Sequence, residues 1–224
     1  MDNIIEHKQT AEFPVDSEHG ALRLAVVGIF VATWIISFAI LNALIANEGL
    51  NIIAIIASFG VTALLTQRLE KVLKERWPSG RTIRVEDNHI RLAKQETVQE
   101  DINANQQVNV LLWRFQISRR SRVPKGWFMV ACALEQDETY VPVYTFMSPD
   151  QFDTLTSPSQ FVLLQSKKER QKQGNDMRLA GEQRRLHTAE SARWINGAEM
   201  NADDFMSFIR YLQDHFPQWM PSVL

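Results

Sequence analysis

Two uncharged stretches constrain this chain more than any other feature. Residues 24–45 run for 22 positions without a charge, and residues 50–66 for 17 more. About 20 apolar residues at a helical rise of ~1.5 Å cross the ~30 Å hydrocarbon core of a bilayer. Only Ala46-Asn47-Glu48-Gly49 separates the two runs, too little to cross again. The simplest reading is a pair of antiparallel spanning helices with a tight turn. A cleavable signal peptide does not fit. It wants a basic flank and an apolar run of about 7–15 residues, whereas residues 1–20 hold five acids against the single base Lys8.

Basic residues near the spans set orientation. The turn has none. Arg68, Lys71, Lys74, Arg76, Arg81 and Arg84 follow the second run, and Arg23 precedes the first. Both termini are therefore expected on the cytoplasmic side of the plasma (inner) membrane, in a multi-pass protein. Neither run holds an ionisable residue, which a proton or ion path usually needs, so a transport path is disfavoured. The helices are expected to pack through small and hydroxyl residues: Gly28, Ala32, Thr33 and Ser37 on the first, Ala54, Ser58 and Thr62 on the second. The second helix should continue past the membrane to Arg76, with Glu70 and Lys74 paired at i,i+4. Trp77-Pro78 should stop it.

The chain divides into an acidic cytoplasmic tail (1–20), a helical hairpin (21–66), a stalk and turn (67–80), a β domain (81–155) and a C-terminal part (156–224). In the β domain, Ile83/Val85 and Ile90/Leu92 alternate on either side of the turn Glu86-Asp87-Asn88. Leu111, Trp113, Phe115 and Ile117 alternate with Arg114, Gln116 and Ser118, the pattern of a half-buried strand. Residues 127–134 are apolar throughout, which suits a strand buried on both faces or covered by a helix. Residues 139–146 are β-branched and aromatic, and Pro142 among them implies an edge position or a bulge.

The period then changes. Ser148-Pro149-Asp150-Gln151 has the order of a capped helix start, with Phe152 and Leu155 on its buried side. Asn201 caps a second helix, with Asp203 and Asp204 in its first turn. Phe205, Phe208, Ile209, Leu212 and Phe216 form its apolar stripe. The segments 147–152 and 200–205 echo one another, either as a degenerate strand-then-helix repeat or, more simply, as two good caps. Residues 165–190 are polar and read as a solvated helix or a long excursion, and residues 191–197 as a late strand. Residues 156–224 either complete the β domain or form a second small α/β unit. The fold class is thus α+β: a two-helix transmembrane hairpin, then a cytoplasmic antiparallel β domain with C-terminal helices.

Two apolar helices, a short stalk, then "TIRVEDNHIRL", "LLWRF", "GWFMVACAL" and "YVPVYTFMSPDQF" together resemble the bacterial pleckstrin-homology-like (YcxB-like) membrane proteins over about residues 20–155. The resemblance implies a small antiparallel β domain closed by a helix behind a two-helix anchor. It brings no catalytic residues with it.

Residues 103–134 contain no acid among 32 positions. Arg119, Arg120, Arg122 and Lys125 crowd the expected hairpin "ISRRSRVPKGW", which ends on Trp127. Basic clusters near a cytoplasmic leaflet attract anionic lipid at roughly 1 kcal/mol per residue, and Trp suits the headgroup level. These five residues form the candidate lipid-contact set. The plainer alternative is a solvated hairpin whose charges do nothing specific. Nucleic acid is not an expected partner, because net charge is −2 and the charges from residue 77 onward balance.

The one cysteine, Cys132, excludes a disulfide scaffold and a Cys-based zinc site. It lies in an apolar strand and reads as a buried thiol. The histidines His7, His19, His89, His187 and His215 show no metal-ligand spacing. No glycine-rich nucleotide loop occurs. No catalytic residue, metal or cofactor is expected. The expected function is a membrane-anchored interaction or scaffolding module, in contact with the bilayer, with anionic headgroups, or with a protein partner or second copy. The alternative is an accessory subunit of a larger transport or respiratory membrane complex.

Overall fold

The computed structural model describes residues 10–17, 20–45, 51–118, 123–166 and 177–220. The chain forms two compact units, Ser17–Ser79 and the remainder.

The first unit is a pair of helices, α1 (Gly20–Ile45) and α2 (Ile52–Arg76). Both are long and apolar enough to cross a membrane, and the apolar window of α1 has no buried residue. Leu24, Leu44 and Ile52 each expose more than 70% of their surface. A soluble core helix would hide such side chains. The Asn51 side chain caps α2 by accepting from the Ile53 N–H at 2.8 Å, and Asn42 Oδ1 accepts from the Asn51 N–H at 3.1 Å. Trp77 ends α2, its N–H donating to the Leu73 carbonyl at 2.8 Å. Lys74 and Glu70 pair at 2.9 Å.

The packing face of α2 is as expected, with Ala54, Ser58 and Thr62 fully buried. Ser37 Oγ and Thr62 Oγ1 share a hydrogen bond of 3.0 Å, and Phe30 and Phe59 meet edge to face at 5.5 Å. The face of α1 differs in part. Thr33 and Ser37 lie on it, with Leu22 buried at one end, but Gly28 and Ala32 are exposed. The reason is helical geometry. Thr33 lies five positions after Gly28, which at 3.6 residues per turn is about 140° around the axis.

The second unit opens with a strand the sequence did not announce. Within the segment read as an acidic tail, Ala11–Val15 forms β1, antiparallel to β2 (Arg81–Glu86). Phe13 and Val15 point inward, and Glu12 pairs outward with Arg84 at 2.6 Å. Pro14 is tolerated because β1 is an edge strand. Val15 lies opposite Arg81, so the chain leaves this unit beside the point where it returns. The first sheet continues through β3 (His89–Lys94) and β4 (Thr97–Asn103), in the order β1-β2-β3-β4.

The second sheet is built on β5 (Asn109–Gln116), β6 (Phe128–Gln136) and β7 (Thr139–Met147), all antiparallel. Two short parallel strands flank it: β8 (Val162–Leu163) beside β5 and β9 (Ala198–Glu199) beside β7. Pro142 lies within β7, paired in register with Ala133. The Tyr144 carbonyl accepts from the Met200 N–H, so by alternation residue 142 also turns its backbone toward the β9 side. The two-residue β9 reaches only Val143 and Tyr144. The proline thus removes no β6–β7 ladder bond.

The first helix after β7, α3 (Pro149–Asp153), carries the full capping box between Ser148 and Gln151. Two longer helices follow, α4 (Met177–Asn196) and α5 (Ala202–His215). Helix α5 closes the main core between the sheets with Phe205, Phe208, Ile209 and Leu212, and Asn201 caps it by accepting from the Asp204 N–H at 2.8 Å. The echo between residues 147–152 and 200–205 is one capping device used twice. Met147 and Met200 precede the caps, Phe152 and Phe205 follow at the fourth helical position, and all four are buried in the main core.

Helix α4 covers the opposite face of the second sheet. There Trp113, Met129, Ala131 and Ala133 form a second cluster with Leu186 and Ala189. This explains why β6 is apolar at nearly every position, and it corrects two expectations. Strand β5 is covered on both faces rather than half-buried, since Leu112 joins the main core while Trp113 joins the second cluster. Residues 191–196 are the last turns of α4, not a strand. Trp194 and Ile195 have strand-like propensity, but Glu190 and Arg193 bond across one helical turn at 2.6 Å. Residues 156–220, where described, complete the β domain and do not form a unit of their own.

Candidate functional site

The basic connection between β5 and β6 begins with a bulge. The Ile117 N–H donates to the Trp127 carbonyl at 2.7 Å, and the Gly126 N–H donates to the Ile117 carbonyl at 2.9 Å. Two residues thus face one, and Gly126 takes φ +95°, which a side chain rarely adopts. Lys125 is exposed and Trp127 half-buried beside it. Arg119, Arg120 and Arg122 lie outside the described residues. Arg114 does not belong with them. Its guanidinium lies 5.0 Å from the Phe128 ring and 4.6 Å from that of Phe152, a cation–π position at the edge of the core.

A second cluster gathers where the chain leaves and re-enters the β unit. Arg81 Nη1 donates to Asp16 Oδ2 at 2.7 Å and to the Gly197 carbonyl at 3.2 Å. Its Nη2 donates to the Asn196 carbonyl at 2.7 Å, and its Nε to Gln99 Oε1 at 2.7 Å. Asp16 in turn accepts from the Glu199 N–H at 3.0 Å and donates its own N–H to the Glu199 carbonyl at 2.7 Å. One guanidinium therefore joins the end of β1, the start of β2, β4 and the last carbonyls of α4. Cationic groups at a helix C-terminus also complement its dipole. Gly197 is needed here on steric grounds, because a Cβ would collide with the Arg193 carbonyl and crowd the Tyr144 ring.

Helix α4 is otherwise held by polar bonds. Gln183 brackets the outer edge of β8, accepting from the Gln165 N–H at 3.0 Å and donating to the Leu163 carbonyl at 3.1 Å. Glu190 accepts from the Trp113 indole N–H at 2.9 Å and binds Arg193 through both oxygens. Arg193 lies 4.7 Å from the Tyr144 ring, and the Tyr144 hydroxyl donates to Glu199 at 3.0 Å. Arg185 donates to Glu135 Oε2 at 2.5 Å, and the Tyr140 hydroxyl donates to Glu135 Oε1 at 2.6 Å. Burial pushes the Glu135 carboxyl upward, but Tyr140 and Arg185 outweigh it and hold the group below its ordinary value. Tyr140 is pushed up to about 12, chiefly because its proton is held by Glu135.

Cys132 is free and fully buried in the main core, and burial pushes its thiol up to about 12. His89 bonds Asp101 at 3.0 Å, His187 bonds the Gln165 carbonyl at 3.0 Å, and His215 stacks on Tyr211. His7 and His19 lie outside the described residues. Among the described residues, no group of three or more His, Cys, Asp or Glu is placed to hold a metal ion.

Sequence reasoning missed Asp16 as a partner of Arg81, because nothing local marks a bond across 65 residues. It also passed over Trp194 and Ile195, which are 81% and 78% exposed. The signal was available: they are adjacent large apolar residues at the end of an otherwise polar helix. No family model matches this chain, and no curated protein or solved structure matches it either.

Proposed function

We propose that this protein is a membrane-anchored, non-catalytic interaction module. A two-helix anchor spans the bacterial inner membrane, and a pleckstrin-homology-like α+β domain with both termini lies on the cytoplasmic side. The observation that carries the reading is the pairing of β1 with β2. Residues on both flanks of the apolar pair share one sheet, which two crossings of a bilayer permit and a single crossing forbids. The basic flanks Arg23, Arg68 and Lys71 assign that side to the cytoplasm. The order of two mainly antiparallel sheets closed by a C-terminal helix supports the pleckstrin-homology-like reading. The β5–β6 connection, with Arg119, Arg120, Arg122, Lys125 and Trp127, contacts anionic headgroups.

The test is mild-detergent purification of the tagged full-length chain, with mass spectrometry of co-purifying lipids and proteins. Enriched anionic lipid that is lost on changing Arg119, Arg120 and Arg122 to Ala is the expected result. A stoichiometric protein partner, with no lipid enrichment, would replace this reading with that of an accessory subunit of a larger membrane complex.

A further inference from the structure

Among the described residues of the β unit, Trp194 and Ile195 form the most exposed pair of adjacent large apolar side chains, at 81% and 78%. Among the described residues, neither belongs to the two packed clusters of the unit. The Trp194 ring has the Arg193 guanidinium 5.6 Å from its centre, and Arg193 itself is committed to Glu190. Their place is specific. The next two residues, Asn196 and Gly197, give their carbonyls to Arg81, whose guanidinium also binds Asp16. Asp16 and Arg81 flank the segment that carries the apolar helices. The exposed pair thus directly precedes the two residues bonded to the corner from which the anchor departs.

Covalent length limits how far that corner can stand from the bilayer. Three residues separate Asp16 from α1, and the uncharged run starts at Leu24, in the second turn. At up to ~3.5 Å per extended residue and ~1.5 Å per helical one, the reach is about 20 Å at most.

We infer that Trp194 and Ile195 dip into the interfacial layer of the membrane that α1 and α2 span, fixing the β unit against it. The inference rests on the anchored reading but not on the basic connection. The titratable groups joined around this corner, Asp16, Arg81, Glu190, Arg193 and Glu199, are mixed in sign and largely bonded to one another. The contact is therefore made by apolar surface and an indole at headgroup level, and it does not depend on lipid charge.

The test uses full-length protein in vesicles of purely zwitterionic lipid and in vesicles with added anionic lipid. An environment-sensitive fluorophore is placed on Ile195→Cys, with Glu138→Cys and Val31→Cys as references. Cys132 is buried and stays unlabelled. Glu138 lies in the β6–β7 turn, two residues from Gln136, which is bonded to Asn103 at the end of the first sheet away from Arg81. Val31 is exposed on α1. Lipid carrying a nitroxide high on the acyl chain should quench the label at 195 roughly twofold in both vesicle types, the depth matching the ~5–10 Å reached by interfacial apolar faces. The label at 138 should be unaffected. Equal behaviour at 195 and 138, with Val31→Cys quenched by deep nitroxide lipid, overturns this inference and leaves the anchor standing. Shielding of 195 from an aqueous quencher without lipid quenching also overturns it, in favour of a protein partner or second copy. An unquenched label at 31 removes the anchored reading itself.

Discussion

The two long helices of the β unit cover different surfaces and are attached by different physics. Helix α5 presents Phe205, Phe208, Ile209 and Leu212 to the main core, all essentially inaccessible. Helix α4 offers Leu186 and Ala189 and adds a set of directed polar bonds from Gln183, Arg185, His187, Glu190 and Arg193. Apolar burial is indifferent to pH and tolerant of small shifts. A polar attachment depends on each group keeping its partner and its charge. The first kind leaves a periodic stripe in the sequence. The second leaves a polar stretch that reads as a solvated helix or a long excursion.

That contrast can be broken at four points, best followed by thermal unfolding of the full-length protein in detergent with near-ultraviolet circular dichroism. Phe208→Ala should cost about 3–5 kcal/mol, as a large ring removed from a packed core. Glu190→Ala should come next, at about 2–3 kcal/mol. It leaves the Trp113 indole N–H and the buried Arg193 without their shared acceptor, a partly exposed form of the ~3–5 kcal/mol cost of breaking a buried pair. Glu190→Gln should recover part of that loss by keeping an acceptor for Trp113.

Arg185→Ala should be milder, under about 1 kcal/mol at neutral pH, because half of Arg185 is exposed. Its signature is in acid. The folded Glu135 carboxyl sits below its ordinary value of 4.5. Its contribution is complete above that value and is lost as pH falls through the lower, folded one. Removing Arg185 brings the two values closer, so wild type and variant should converge in stability as pH drops below the ordinary 4.5 and through the lower, folded value. A constant gap across that range would rule out the ion pair as the source. Tyr140→Phe should have the smallest effect near neutrality. The folded Tyr140 sits at about 12 against an ordinary 10.0. The wild type therefore loses stability as pH rises between these two values, and the variant should lack that alkaline loss.

Much of the fold was readable because local signals and burial agreed. The turn read at Glu86-Asp87-Asn88 falls on Asp87-Asn88, with Glu86 still in β2, and the box at Ser148 and Gln151, the cap at Asn201 and the stop at Trp77-Pro78, also short-range devices, each stand where the residues put them. Strand β1 escaped because its alternation is only five residues long and broken by Pro14, and its partner lies some 70 residues away. Helix α4 was read only as a solvated helix or a long excursion, because beside Leu186 and Ala189 it buries Gln183 and Arg193, which hydropathy scores as surface. Gly28 and Ala32 were placed on the packing face by residue type, whereas helical phase turns them outward. Of the lipid-contact set, Lys125 is exposed and Trp127 half-buried beside Gly126. The Arg81–Asp16 cluster has no local signature at all, since four segments distant in sequence meet there.

The central claim is that the apolar pair crosses a bilayer twice and returns both flanks to one compartment. The most direct measurement is labelling of Glu48→Cys and Glu138→Cys in intact spheroplasts with a membrane-impermeant maleimide, before and after permeabilisation. Cys132 gives little background, being buried with its thiol pushed up to about 12. The account predicts that position 48 is labelled from outside and position 138 only after permeabilisation. Labelling of position 138 in intact spheroplasts, or protection of position 48 until permeabilisation, would contradict it.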